Sequence, residues 1–330
     1  MTLNSEHQVR LVLSVALVAL AFSLSNCGAS SSGPSDLDAS VDLEAEDLLP
    51  IDSDTNSDVD GDQASLPPLN IPKGCNPLAA DWDCMLPFPS DFFLVDDPSM
   101  PSGRRLAISG AARLERPDGR LVEPYLKHPV DGFAHHPPIL VLFPGGVDAG
   151  DLVSHTHDVG DSLESGCSTA LLDAESGERI LHFAELDPNP ENDAERVLFV
   201  RPMVRLHNGT RYIVAIRNLR DKSGELIAAP EGFRRIRDGQ AHGDSMLAPL
   251  ASRYEKDVFP ALENAGVERS TLQLAWDFTT ETEECVTRDM LTMRADLIAR
   301  LEQSPPAVTI TSVTEPVNSR ILRQVEGTIR

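Results

Sequence analysis

The chain has 330 residues, of which 28 are basic and 52 acidic, for a formal net charge of -24. That excess excludes an electrostatic nucleic-acid binder, because phosphate contacts need clustered Lys and Arg. The length allows two domains of ordinary size, but the low-complexity start reduces the expectation to one large domain with appendages.

The first element is "MTLNSEHQVR LVLSVALVAL AFSLSNCG", a polar stretch ending at Arg10 followed by apolar and small residues from Leu11 to Leu24. As a helix this run spans about 21 Å, short of the roughly 30 Å hydrocarbon core of a bilayer. It therefore reads as a signal peptide over residues 1–26, and the protein is expected to be exported. Leu24-Ser25-Asn26-Cys27 resembles the lipobox of bacterial lipoproteins, which implies diacylation of Cys27 and attachment to a membrane through lipid. Asn26 departs from the Gly, Ala or Ser usual at its position, and cleavage after Ser25 or Ala29 without acylation stays open. Gly28 stands where an inner-membrane retention signal often places Asp. The same resemblance thus implies the outer membrane, facing the periplasm or the cell surface.

Residues 27–70 are predicted to be a disordered acidic linker. From Ala29 to Leu66 there is no Lys, Arg or aromatic residue, and eleven acids lie between Asp36 and Asp62. Such a composition cannot bury enough apolar surface to offset its ordering entropy. Within it, Asn56, Asp58, Asp60 and Gly61 fall at positions 1, 3, 5 and 6 of a calcium loop. Pro67 occupies the place of the bidentate Glu, so a solvated linker is the better reading.

Apart from Cys27 the cysteines are Cys75, Cys84, Cys167 and Cys285, an even number in an exported chain. Cys75 and Cys84 are close enough to form a short staple. Whether Cys167 pairs with Cys285 is left open by the sequence. The cysteine spacings match no zinc pattern, and His155 and His157 lie in a polar loop, so neither a metal nor a cofactor is expected. Around the staple, "DWDCMLPFPSDFF" gathers Trp82, Phe88, Phe92 and Phe93. These rings are expected to close the end of a core, since large exposed aromatic patches are uncommon.

Six short apolar runs follow between turn signals: 137–143, 168–173, 179–186, 196–202, 211–219 and 271–278. Their lengths and partial alternation predict strands of an antiparallel β-sandwich. Two amphipathic helices interrupt this mainly β pattern. Residues 246–265 carry Leu250, Tyr254, Val258, Leu262 and Ala265 at helical spacing, with Ser245 as N-cap, a kink at Pro260 and a stop at Asn264-Ala265-Gly266. Residues 285–304 carry Met290, Met293, Leu297 and Leu301 as a core-facing stripe, with Thr287 as N-cap. Two further strands, "AVTITSV" and "RQVEGTI", come last, and an uncovered edge there predicts more protein beyond Arg330. The divisions drawn are 1–26, 27–70, a sandwich over 71–284 with its inserted helix, and 285–330 leading toward a further domain.

The run "GVDAGDL … CSTALLDAESGERI … RVLFVRPMVRLHNGTRYIVAIRNLRDKSGELI" resembles bacterial Ig-like domains of the S-layer-protein type. The matching residues are Pro202, Leu206, Thr210 and Tyr212, followed by Asp221 and Gly224. More widely, "LPFPSDFF", "VDGFAHHPPILVLF" and "LAWDFTTETEE" resemble the N-terminal region of lipoprotein lipases of the bacterial virulence-factor type. In those an Ig-like module precedes an α/β-hydrolase domain, and "VEGTI" is similar to the segment leading into it. The resemblance implies a non-catalytic support with a covalent downstream hydrolase as partner. A stand-alone adhesion or scaffold lipoprotein with a protein or glycan ligand is the alternative.

A hydrolase nucleophile cannot be assigned within the chain. In "AHGDSMLAP", Gly243 and Ser245 lack the second glycine of an elbow, and no histidine follows Ser245. Asp81 with Asp91, or Glu281, Glu283 and Glu284, would need a carboxylate separation of about 5–9 Å for glycoside hydrolysis, which a sequence does not display. His135 and His136 precede a double proline and read as turn residues.

Overall fold

A computed structural model describes residues 66–330 apart from Trp82 and Glu123. The signal peptide, Cys27, the acidic run and the calcium-like loop lie outside the described residues. The described chain divides after Thr292 into two compact units.

The first unit is built on two antiparallel three-stranded sheets. One has the order β3 (Ile139–Val141), β6 (Leu198–Pro202), β5 (His182–Leu186), and the other β4 (Thr169–Asp173), β7 (Arg211–Arg217), β8 (Leu272–Thr279). In the β3-β6-β5 sheet burial alternates: Ile139, Val141, Ala184, Leu198 and Val200 are buried while Leu140, Phe183, Phe199 and Arg201 are partly open. That is the period of a sheet with one wet face. All eight residues of β8 are buried, as are six of the seven of β7, because this sheet is covered on both sides. Leu274, Trp276 and Phe278 alternate with Gln273, which bonds to the Leu219 and Ile227 backbone, and with Ala275 and Asp277, which meet Tyr254 and Arg253 of the helical layer. A single apolar cluster joins both sheets and those helices.

Three-residue strands β1 (Leu94–Asp96) and β2 (Arg104–Leu106) form a hairpin beside this core. Ahead of them, Cys75 and Cys84 are disulfide-bonded. Phe88 stacks edge-on against Phe133 at 5.4 Å, Phe93 is 2% exposed, and the Trp276 Nε1–H donates to the Pro89 carbonyl at 2.8 Å. The described phenylalanines of this segment therefore close the core, as their clustering suggested. Further upstream the chain is tied to the helical layer. The Leu69 amide donates to Asp244 at 2.7 Å, and an Arg235 Nη1–H donates to the Pro67 carbonyl at 2.6 Å.

At the β6–β7 connection Tyr212 is fully buried and its hydroxyl accepts the His207 amide at 2.8 Å, a tyrosine corner that also buries Leu206. Thr210 donates its amide to the Thr280 hydroxyl at 3.0 Å, stitching the corner to the end of β8.

The helical layer holds one element the sequence reading missed, α1 (Glu231–Arg237). It is seven residues long, starts directly after Pro230 and contains Gly232, features that look like a loop. The helix expected over 246–265 is present as α2 (Ala248–Arg253), a π-helical turn (Tyr254–Val258) and α3 (Phe259–Asn264). Pro260 sits in the first turn of α3, where its missing N–H is harmless, and the wider turn absorbs the mismatch. Tyr254, Val258 and Leu262 are fully buried, as their spacing predicted. Gly266, at φ +76°, ends α3, and the Val267 amide reaches back to the Leu262 carbonyl at 2.9 Å. Ser245 is not the N-cap. Asp244 accepts the Met246 and Leu247 amides at 2.9 and 3.2 Å, and its charged carboxylate is a stronger acceptor than a serine hydroxyl.

α4 runs over Glu283–Gln303 and crosses the division between the units. Its cap is Thr282, whose hydroxyl accepts the Cys285 amide at 3.2 Å and donates to Asp131 at 2.7 Å. Thr287, expected there, lies one turn inside and donates to the Glu283 carbonyl. The stripe expected in a core is exposed: Met290 by 67%, Met293 by 57%, Leu297 by 56% and Leu301 by 39%. Helical spacing reports that an apolar face exists, not that something covers it. Beyond α4 the second unit is an antiparallel hairpin of β9 (Val308–Thr314) and β10 (Gln324–Ile329), with a register shift at Glu326/Gly327. Every residue of β9 is exposed.

Candidate functional site

Chemistry-bearing side chains gather at four places in the first unit. One is under α2, where Asp277 on β8 is 2% exposed. Arg253 grips both its carboxylate oxygens, one at 2.8 Å, and an Arg211 nitrogen lies 3.5 Å away. Asp91 comes in beside it with a side chain 7% exposed. The Asp91 Oδ2 accepts from Thr279 at 2.7 Å and Arg104 at 3.3 Å, while its Oδ1 is buried with no partner. Burial first, and then the Asp277 charge, push the Asp91 carboxyl above the usual range. Asp81 lies exposed in a turn, so the carboxylate facing Asp91 is Asp277, which the sequence reading did not single out. The signal available was an acid inside the otherwise apolar run "LQLAWDF".

A second group surrounds His182, which is fully buried on β5. Its Nδ1 stands 2.7 Å from the Ile180 carbonyl and its Nε2 2.9 Å from the Thr169 hydroxyl, so Nδ1 carries the proton and Nε2 accepts. Burial pushes this imidazole below its ordinary range and keeps it neutral. The Cys167 sulfur lies 3.7 Å from the same hydroxyl. Cys167 and Cys285 are both buried and free, so the pairing left open does not form. Cys167 is committed to the start of β4 and Cys285 to the first turn of α4, where burial pushes its thiol up to about 11.

The third group joins the sandwich to α4. Asp131 is fully buried and accepts the Thr282 amide at 3.0 Å as well as its hydroxyl. His135 is buried with Nε2 3.0 Å from the Glu281 carbonyl, and Glu281 is raised by burial and by Asp131. Glu283 and Glu284 are exposed in the first turn of α4, where the helix dipole favours acids. His155 and His157 are exposed; the His157 Nδ1 meets the Ser154 hydroxyl at 2.9 Å. Among the described residues no three His, Cys, Asp or Glu side chains stand close enough to hold a metal ion.

Two hollows also open in the first unit. One, of about 440 Å³, lies along α2 and is lined by His242, Ser252, Glu255 and Lys256 with Ile236 and Ala251. A serine, an imidazole and a carboxylate thus share one cavity, an association invisible in the sequence. Glu255, however, is bound through both oxygens to Arg269 at 2.5 and 2.8 Å, and no hydrogen bond links Ser252 to His242. Without that link the hydroxyl has no base to activate it. Ser245 is exposed and outside this lining. The other hollow, of about 340 Å³, sits on the open face of the β3-β6-β5 sheet and is lined by His136, Pro137, Phe183, Arg201 and Met203. Arg201 lies 4.5 Å over the Phe199 ring and donates to Glu185 at 2.5 Å. This is a surface that can stack and hydrogen-bond, without a nucleophile. Comparisons with protein-family models, with curated proteins and with solved structures return no match to this chain.

Proposed function

We propose that this chain is an exported protein, anchored through lipid on Cys27, whose sandwich is the Ig-like, non-catalytic N-terminal region of a surface lipase or esterase and supports a downstream α/β-hydrolase domain. The observation that carries the reading is the uncovered apolar face of α4. Val286, Met290, Leu291, Met293, Leu297 and Ile298 are each between 42% and 67% exposed on one helix. Val286, Met290, Met293 and Leu297 share one side of the helix by their spacing, and an exposed apolar side of that kind marks a contact surface. The tyrosine corner at Tyr212 supports the Ig-like assignment, since that fold uses the same hydroxyl-to-backbone closure. Asp277 and Glu255 are engaged by Arg253 and Arg269 within the fold.

Intact-mass measurement of the protein isolated from its native membrane tests the reading at both ends. Acyl chains on Cys27 and a mass well beyond that of 330 residues are expected; an unmodified mass equal to the processed chain refutes both. The present chain is expected to be inert on short-chain esters. Turnover that vanishes on Ser252→Ala would make the hollow along α2 an active site instead.

A second reading, a surface adhesion or scaffold protein, draws on the hollow beside Phe183 and Arg201. An aromatic face next to a guanidinium and a carboxylate suits a glycan or a peptide. Sugar-array or peptide-array binding that is lost on Phe183→Ala would favour it.

A further inference from the structure

Buried cations persist when a carboxylate neutralises them. Arg235 follows that rule, with Glu231 at 2.8 Å, and so does Arg253 with Asp277. Arg217, which is buried, and Arg179, which is half-buried, have no carboxylate partner among the described residues. Arg217, the last residue of β7, is 7% exposed and donates its Nε–H to the Cys167 carbonyl at 3.0 Å. Arg179, just before β5, donates from Nη2 to the Ala265 carbonyl at 2.9 Å, and its Nη1 is buried with no acceptor at all.

Both guanidinium groups end at one junction. The turn at Ala265-Gly266 lies over the turn that leads into β4, so that a Cβ on Gly266 would meet the Ser165 Cβ at 3.8 Å. Arg179 reaches the first turn, and Arg217 reaches the second two residues along, at Cys167. Of the groups whose charge favours the Arg179 cation, Cys167 is a buried thiol and Glu164 is exposed and makes no ion pair with it. Burial and the neighbouring Arg217 charge both work against the Arg179 cation. A water molecule would satisfy one N–H but would neutralise neither charge.

We propose that the Arg179–Arg217 junction binds a small tetrahedral oxyanion of the phosphate or sulfate class. Such an ion presents several acceptor oxygens in the geometry a guanidinium fork recognises, and it removes the repulsion between the two arginines. The carbonyls of Cys167 and Ala265 then act as fixed stops that aim the remaining N–H groups.

The test is thermal unfolding of the purified full chain in millimolar phosphate against chloride at matched ionic strength, for wild type and for Arg179→Gln. A saturable rise in Tm of about 2–6 °C is expected for wild type, with the response weakened about tenfold or lost in the variant. General salt stabilisation would raise both proteins equally, and that result overturns the proposal. Calorimetric titration of the wild type with inorganic phosphate provides a second readout should the variant fail to fold. One site per chain is expected, and absence of saturable binding refutes the assignment.

Discussion

Asp91 and Asp277 place two carboxylates together under α2; Asp277 is held by Arg253 and Arg211, whereas Asp91 has one longer contact, to Arg104 at 3.3 Å. The folded-state Asp91 carboxyl titrates above its unfolded value, so between the two the folded chain binds more protons. Its contribution to stability is full below the unfolded value and is lost as pH rises from about 4. Glu231 behaves in the opposite sense. Arg234 hydrogen bonds hold it at about 2, so its contribution is lost as pH falls from the ordinary range toward that value. The two limbs do not overlap above pH 5. Asp91→Asn keeps an oxygen for Thr279 and removes the repulsion with Asp277. Urea unfolding from pH 5 to 8 should show wild type losing stability relative to the variant as pH rises; a parallel pair of curves would contradict the assignment. Little of this was legible in the sequence. Asp91 entered there only as a carboxylate paired with Asp81, and the carboxylate that acts on it, Asp277, lies far along the sequence on β8.

Elements were more legible than residues, for a physical reason. Each of β3 to β8 falls, to within one residue, in a run marked by length, alternation and flanking turns, because a strand packed in a sandwich must place apolar groups at a fixed period. The missed elements, β1, β2 and α1, are three to seven residues long, too short for a period to appear. Their positions are set by tertiary contact. Gly232 shows this, since a Cβ there would lie 1.9 Å from the Pro77 carbonyl oxygen. The segment carrying the Cys75–Cys84 bond can approach α1 only because that side chain is absent. Gly232→Ala should therefore destabilise the fold by about 1–3 kcal/mol through overpacking, against the small gain an alanine gives an open helix. Equal or greater stability in a denaturant titration would show that the contact yields easily. α4 is the reverse case: its spacing was read correctly and its burial was not, since periodicity contains no information about the partner.

At the scale of the whole molecule, charge and grease are segregated. The acidic run occupies the N-terminal side of the sequence, whereas α4 and the β9–β10 hairpin present Met290, Met293, Leu297, Val308 and Ile310 to solvent. Exposed apolar surfaces such as these should cause the purified chain to self-associate. Sedimentation velocity is expected to show concentration-dependent oligomers that Met293→Glu with Leu297→Glu largely removes. Stability should change within about 0.5 kcal/mol per site, as for other surface positions. A monomer at every concentration would leave the proposed docking role without support.

The fastening upstream of the disulfide has a mechanical consequence. A pull applied at Leu66 loads the Arg235 contact to Pro67 and the Asp244 contact to Leu69 almost at once. Both are single bonds loaded one after the other, so they should yield at low force and release a few residues of slack. Peeling then runs into the covalent Cys75–Cys84 loop, and behind it the strain is shared by Trp276 and the rings around Phe133. The molecule is in this sense a shock absorber with a hard stop, able to lengthen under tension while its sheets stay whole.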